Sequence, residues 1–329
     1  MKSRDGVFYV GLFASFPITK TDRKAGILAS VLDLEGPRPF KKMLVGGLMG
    51  KSRWEWFKEE KKAALLRAVG RGDVDSVTLT PNVGDAGFGN SFETHANAFW
   101  ASAVIEPLNR SRSPLEERFG DVGFLTARYP VSRFAMGRGS EFQRDLLDLL
   151  RLLFVRHDMS WAFVHLGFQP IPITGYGMDN VFQDTRETFP LTSFEPALDS
   201  ARTFYKEFVK GAFWANFLNP VHVQRLGGVK RVLRERPCET IEPLENGGLL
   251  LLTDESPLVE CEVRVVEHEL PSTPPVVRAL AFSHVVDISP TIVERYQRLR
   301  NFLRPILLET PEDVGRIQEE VLGSWSPDT

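Results

Sequence analysis

The sequence predicts an α+β fold in which sheets pack with helices on one face. Three observations carry this expectation. Strand-like and helix-like segments alternate along all 329 residues. A β–α–β unit stands between Val122 and Phe168, its helix marked by a one-sided apolar stripe. Asn246-Gly247, with β-formers on both sides, is the signal of a hairpin between antiparallel strands. The length of 329 residues exceeds one average domain. The polar, proline-containing stretch Pro107 to Arg118 is the candidate boundary between two tightly packed αβ subdomains, residues 1–115 and 116–329.

Val7, Phe8, Tyr9 and Val10 are good strand formers, so the apolar run Val7 to Phe16 reads as the first strand. Lys2 and Arg4 give it the superficial look of a secretory signal. Asp5 interrupts that pattern, and no A-x-A cleavage site follows. Thr21 and Asp22 are placed to cap a helix running to about Leu34, which Gly36, Pro37 and Pro39 end. A second helix fits Trp54 to Val69, with Trp54, Phe57, Leu65 and Ala68 near one face and Gly70 as its stop. Val74 to Pro81 reads as a strand, Gly84 to Ser91 as a glycine-rich loop, and Phe92 to Ile105 as a further strand.

Val122 to Tyr129 opens the β–α–β unit. Ser140 and Gln143 form a capping box, and Phe142, Leu146, Leu149, Leu150 and Leu153 then recur at helical spacing. Trp161 to Phe168 is the following strand. The irregular stretch Gln169 to Pro196 is long enough to suggest a functional loop or an unrecognised element. Ala197 to Phe213 is expected to be a helix with Phe204, Phe208 and Val209 inward. Asn219-Pro220 makes a cap and first-turn pair, opening a helix that ends near Gly227-Gly228 or continues to Arg236. Glu239 to Pro243 and Leu249 to Thr253 flank the hairpin turn, and Val259 to Val266 is another strand. Ser289-Pro290 opens a helix carrying Val293, Tyr296, Leu299 and Leu303; Thr310-Pro311 opens a last one carrying Val314, Ile317 and Val321.

A net charge of −3 argues against a general nucleic-acid binder, which carries a strong basic excess. No apolar run reaches the roughly 20 residues that span a bilayer, so the chain is expected in the cytoplasm. Cys238 and Cys261 have no metal-site spacing; they read as two reduced thiols or as a single bridge between neighbouring strands.

Two motifs suggest chemistry. Gly46-Gly47-Leu48-Met49-Gly50-Lys51-Ser52 ends like a phosphate-binding loop, and Leu249 to Leu252 followed by Thr253-Asp254 mimics a magnesium-binding strand end. Together they define an alternative reading, a nucleotide-binding enzyme built around Lys51 and Asp254. The loop is one residue short, because the required first glycine would fall at Val45, and Asp254 sits in a predicted hairpin. Gly84, Gly87 and Gly89 lack the G-x-G-x-x-G pattern. The six histidines, His95, His157, His165, His222, His268 and His284, make no H-x-x-x-H or H-E-x-x-H. No serine lies in G-x-S-x-G. No cofactor or metal is expected.

Charge is uneven. Between Glu235 and Glu269 lie Glu235, Glu239, Glu242, Glu245, Asp254, Glu255, Glu260, Glu262, Glu267 and Glu269, against Arg236 and Arg264 alone. This is either the solvated face of a sheet or an acidic surface that steers a basic partner. Glu242, Glu245, Asp254 and Glu255 are the candidate partner-binding residues.

Phe213-Trp214-Ala215-Asn216-Phe217-Leu218-Asn219-Pro220, then Leu226-Gly227-Gly228, then Leu244 to Leu252 with Gly247-Gly248, form a recognisable series. With Asp254 to Pro257 and Leu303-Arg304-Pro305, it resembles the type VI secretion system immunity family. Those proteins have an aromatic-Trp helix leading to an LGG turn, a leucine-rich strand after a GG, and a C-terminal L-x-P helix. The resemblance covers the C-terminal two-thirds of the chain. It implies a non-enzymatic antitoxin that binds a cognate secreted toxin, in some cases a nuclease, inside the producing cell. A nuclease's substrate surface is basic, which suits the acidic run. The matching motifs are turns and packing residues, so no contact residue transfers. Neither direct nucleic-acid binding nor membrane binding is expected.

Overall fold

The computed structural model describes residues 6–17, 21–35, 42–46, 52–56, 58–74, 76–80, 100–101, 122–134, 138–170, 204–259, 261–268, 281–308, 313, 315–317 and 319–320. Ten strands form one sheet: β1 (Gly6–Pro17), β2 (Lys42–Gly46), β3 (Ser52–Trp56), β4 (Ser76–Thr80), β5 (Trp100–Ala101), β6 (Val122–Pro130), β7 (Trp161–Pro170), β8 (Ala215–Leu218), β9 (Thr240–Pro243) and β10 (Leu249–Leu252). Their order is β3-β2-β4-β5-β6-β1-β7-β8-β10-β9, and every neighbouring pair is antiparallel. β11 (Cys261–His268) and β12 (Ala281–Ile288) form a separate antiparallel pair. The helices are α1 (Thr21–Glu35), α2 (Glu59–Arg71), α3 (Arg138–His157), α4 (Pro220–Arg225), α5 (Val229–Glu235) and α6 (Pro290–Leu303). The fold is α+β. No helix among the described residues is long and apolar enough to cross a membrane.

β1 explains the sheet. It pairs with β6 from Tyr9 to Pro17 and with β7 from Gly6 to Ser15, so its backbone is hydrogen-bonded on both edges. Both of its faces are covered. Val10, Leu12, Ala14 and Phe16 enter one core, whereas Tyr9 and Phe13 enter the other. A strand buried on both faces reads as a continuous apolar run rather than an alternating one. That is why Val7 to Phe16 looks like a signal segment in sequence.

Helices occupy both faces of the sheet rather than one. On the first, Ile27, Leu28 and Val31 of α1, Leu65 and Val69 of α2, and Leu146, Leu150 and Leu153 of α3 pack against β1, β6 and β7. On the second, Leu299 and Leu303 of α6, Val223 of α4 and Val232 of α5 join Phe204, Phe208 and Phe213. Here Phe13, Trp161 and Tyr205 are fully buried, with ring centroids 4.8–5.7 Å apart. Each such ring contributes roughly 1.5–3 kcal/mol by leaving water.

Several elements depart from the sequence expectations. Trp54 to Trp56 belongs to strand β3; the second helix begins only at Glu59. It stops at Gly72, whose φ of 78° and N–H bonds to the carbonyls of Ala68 and Val69 make the left-handed cap. Gly70 lies inside that helix. α3 begins at Arg138, ahead of the expected Ser140 cap. The expected helix up to Phe213 is, where described, a 3-10 turn at 204–206 followed by irregular chain. That segment is tied down elsewhere: Val209 N–H donates to the Ile306 carbonyl and Leu308 N–H to the Val209 carbonyl. Strands β2, β8 and β12 were not anticipated. The Gly84 to Ser91 loop, His95, most of Phe92 to Ile105, the Pro107 to Arg118 boundary, residues 171–196 and the Thr310-Pro311 cap lie outside the described residues.

Candidate functional site

The four carboxylates singled out in sequence lie on the β9–β10 hairpin and just past it. The hairpin forms as expected, with Pro243 opposite Leu249 and Gly247 at a φ of 84°. Asn246 anchors its turn. Its Nδ2 donates to the Phe154 carbonyl at 2.9 Å, and its Oδ1 accepts from Gly248 N–H at 3.0 Å.

The structure divides the four acids into two kinds. Glu242 faces Arg151 of α3, whose Nε and Nη2 donate to its two carboxylate oxygens at 2.8 and 2.7 Å. This is the two-pronged geometry that suits guanidinium to carboxylate. Arg151 Nη1 also donates to Asp148 at 2.6 Å. The bonded Glu242 carboxylate holds the Arg151 pKa above its ordinary value, although burial opposes it. Asp254 accepts from Arg295 of α6 through Oδ2 and from Glu255 N–H through Oδ1. Its carbonyl accepts the indole N–H of the fully buried Trp214 at 2.9 Å. Arg295 also lies 3.7 Å from Glu239.

Glu245 and Glu255 are different. Both side chains are exposed. Glu255 is tied through its backbone, its N–H donating to Asp254 and its carbonyl accepting from Gln143 Nε2 of α3 at 2.7 Å. The acidic run in sequence is therefore partly neutralised in space by arginines from remote helices. Glu235 is likewise paired, with Arg231 at 2.7 Å. Glu260 and Glu269 lie outside the described residues.

Among the described residues the strand-to-helix order that the nucleotide alternative needs is not found at residues 46–52. A phosphate loop needs a strand leading into a helix, so that backbone N–H groups gather at the helix N-terminus. Here β2 pairs antiparallel with β3, Gly46 opposite Ser52, so the glycine-rich segment joins two strands of a hairpin. Lys51 itself lies outside the described residues. Asp254 follows a strand flanked by two antiparallel neighbours, and Arg295 holds its carboxylate. Among the described residues no group of three or more His, Cys, Asp or Glu is gathered to hold a metal.

Cys238 is a free thiol, bonded to the Thr240 carbonyl at 3.2 Å, and burial pushes its pKa up to about 12. A bridge to Cys261 is thus not formed. A thiol with so high a pKa is a poor nucleophile at neutral pH.

One polar feature escaped the sequence reading. Asn219 Oδ1 accepts from His222 N–H at 2.9 Å, while His222 Nδ1 accepts from Asn219 N–H at 3.3 Å. This is a reciprocal capping box with histidine in the place usual for Glu or Gln. Asn219 Nδ2 adds bonds to the carbonyls of Ser160 and Lys206 at 2.7 and 2.9 Å. The cap thereby joins β8, the start of β7 and the 204–206 turn. The Asn-Pro pair signals the cap, but the generic expectation of Glu or Gln at its third position hides the histidine's part. The aromatic-Trp segment expected as a helix is instead extended, running into β8, with the Trp214 N–H donating to His165 Nδ1 at 3.1 Å.

No protein-family model matches the chain, and no curated protein matches it in sequence. A solved structure, the Pseudomonas aeruginosa T6SS protein PA0821, matches with a TM-score of 0.55 and 14% identity, over 94% of this chain and 76% of that chain. At that identity the likeness is one of fold.

Proposed function

We propose that this chain is an immunity protein of a type VI secretion system. It binds a cognate secreted toxin in the cytoplasm of the producing cell and blocks it without catalysis. The observation that carries the reading is the fold likeness to a T6SS protein across 94% of the chain. The sequence motifs Leu226-Gly227-Gly228 and Gly247-Gly248 support it, since Gly227, Gly228 and Gly247 take the positive φ that such glycine motifs serve. Glu245 and Glu255 are the carboxylates best presented to a basic toxin surface, because Glu242 and Asp254 are held by arginines of their own.

The test is co-expression with the toxin encoded beside the gene. Growth should be rescued, and the two purified proteins should form a complex. Absence of both rescue and complex removes the reading. A Glu245→Arg/Glu255→Arg variant should bind a nuclease toxin more weakly while melting at the wild-type temperature. Unchanged affinity would remove these two carboxylates from the interface.

A further inference from the structure

α5 turns outward a face that is cationic and apolar at once. Gly227 and Gly228, with φ of 89° and 86°, end the preceding turn and let Val229–Glu235 start as a new helix. Val232 is its fully buried inward residue. Arg231 is held too, its guanidinium 5.9 Å from the Phe302 ring centroid and its Nε donating to Glu235 at 2.7 Å. Lys230, Leu233 and Arg234 then fall at i, i+3 and i+4, which places them on one face. Arg236 follows at the C-cap with a φ of 46°. All four are exposed, and Leu233 keeps 45% of its surface in water.

This face is not balanced from within. Glu235 is the sole carboxylate of the helix; Arg231 holds it, and Arg234 stands 3.8 Å away. Lys230 and Arg236 make no ion pair among the described residues. Like charges at i and i+4, as in Lys230 and Arg234, destabilise a helix, and ordinary solvated surfaces intersperse the two signs. An aliphatic residue among three exposed cations, of which only Arg234 reaches a carboxylate among the described residues, is the pattern of a protein contact with an apolar centre and a polar rim. Single-stranded nucleic acid calls for exposed aromatic rings and a basic domain, whereas this face centres on leucine in a chain of net charge −3.

We propose that the Lys230–Leu233–Arg234–Arg236 face of α5 docks an acidic surface of the protein partner, separate from the basic one that would meet Glu245 and Glu255, with Leu233 on an apolar spot and the three cations on the carboxylates that rim it. The proposal rests on the toxin-binding reading and names a surface used for it. The experiment is calorimetric titration of the full chain with the purified toxin encoded beside its gene, at low and high salt. The variants are Lys230→Gln/Arg234→Gln/Arg236→Gln and Leu233→Ala, each checked by thermal melting. The charge variant should bind at least about tenfold more weakly with a reduced salt dependence, and Leu233→Ala should also lose affinity. If wild type binds and both variants match it, this surface is overturned while the toxin-binding reading stands. If wild type does not bind, the toxin-binding reading fails and this surface fails with it.

Discussion

His222 makes the cap of α4 sensitive to pH. It is completely buried, and that desolvation, helped by the nearby Arg225 charge, lowers its pKa from 6.5 to about 3. The carbonyls of Phe208 and Tyr205 oppose the shift without cancelling it. Below about pH 6.5 the unfolded chain takes up a proton that the folded chain refuses, so stability rises with pH from about 3 to about 6.5. Lowering the pH from 6.5 to 5 should therefore remove up to about 2 kcal/mol through this residue alone. His222→Gln should flatten that dependence, because glutamine at this position completes the capping box without titrating. Denaturant unfolding at the two pH values measures it; an equally steep loss in the variant would rule out His222 as the source. A second residue-scale constraint lies on β7. Gly167 stands opposite Tyr9 of β1, and a Cβ there would sit 2.5 Å from the buried Tyr9 ring. Gly167→Ala should destabilise by about 1–3 kcal/mol, as overpacking does, and a melting temperature equal to wild type would refute the close contact.

α3 and the β9–β10 hairpin illustrate what can and cannot be read element by element. The hairpin was legible because a two-strand turn is local chemistry: Asn-Gly supplies the left-handed residue and the leucines supply the strand. The stripe of α3 was legible because helical periodicity is local too. The ion pair joining them was not, since Arg151 and Glu242 are 91 residues apart and nothing in either segment names the other. The same distance effect made the acidic run look like an open patch when Arg295 and Arg151 were out of view. β3 was lost for a different reason. Its five residues, placed directly before a true helix, extended the helical pattern backwards through Trp54. The α3–hairpin pair gives a measurable coupling. A double-mutant cycle with Arg151→Ala and Glu242→Ala should return about 0.5–1 kcal/mol, the range for half-exposed pairs with good geometry. A coupling of zero would mean that Asn246 and the core alone hold the hairpin to α3.

Across the whole molecule, connectivity and sheet order disagree, and the disagreement has a mechanical consequence. β1 comes from the first 115 residues, yet its neighbours β6 and β7 both come from the remainder. Removing β1 would expose the inner edges of two long strands and strip Val10, Leu12, Phe13 and Phe16 from two cores at once. Unpaired edges of that length favour association with other chains over folding. The C-terminal strands β8, β10 and β9 reach the sheet only through β7, so they inherit its dependence on β1. A fragment of residues 116–329 should therefore fail to fold alone, remaining aggregated or lacking a cooperative transition, although the motifs resembling the immunity family lie within it. Supplying residues 1–115 as a separate chain should restore a soluble complex, because β1 can pair from another chain as it does from its own. The measurement is circular dichroism melting of the fragment with and without its complement. A sharp transition from the fragment alone would show that β6 and β7 close without β1, and the central strand would then be an addition to the fold rather than its keystone.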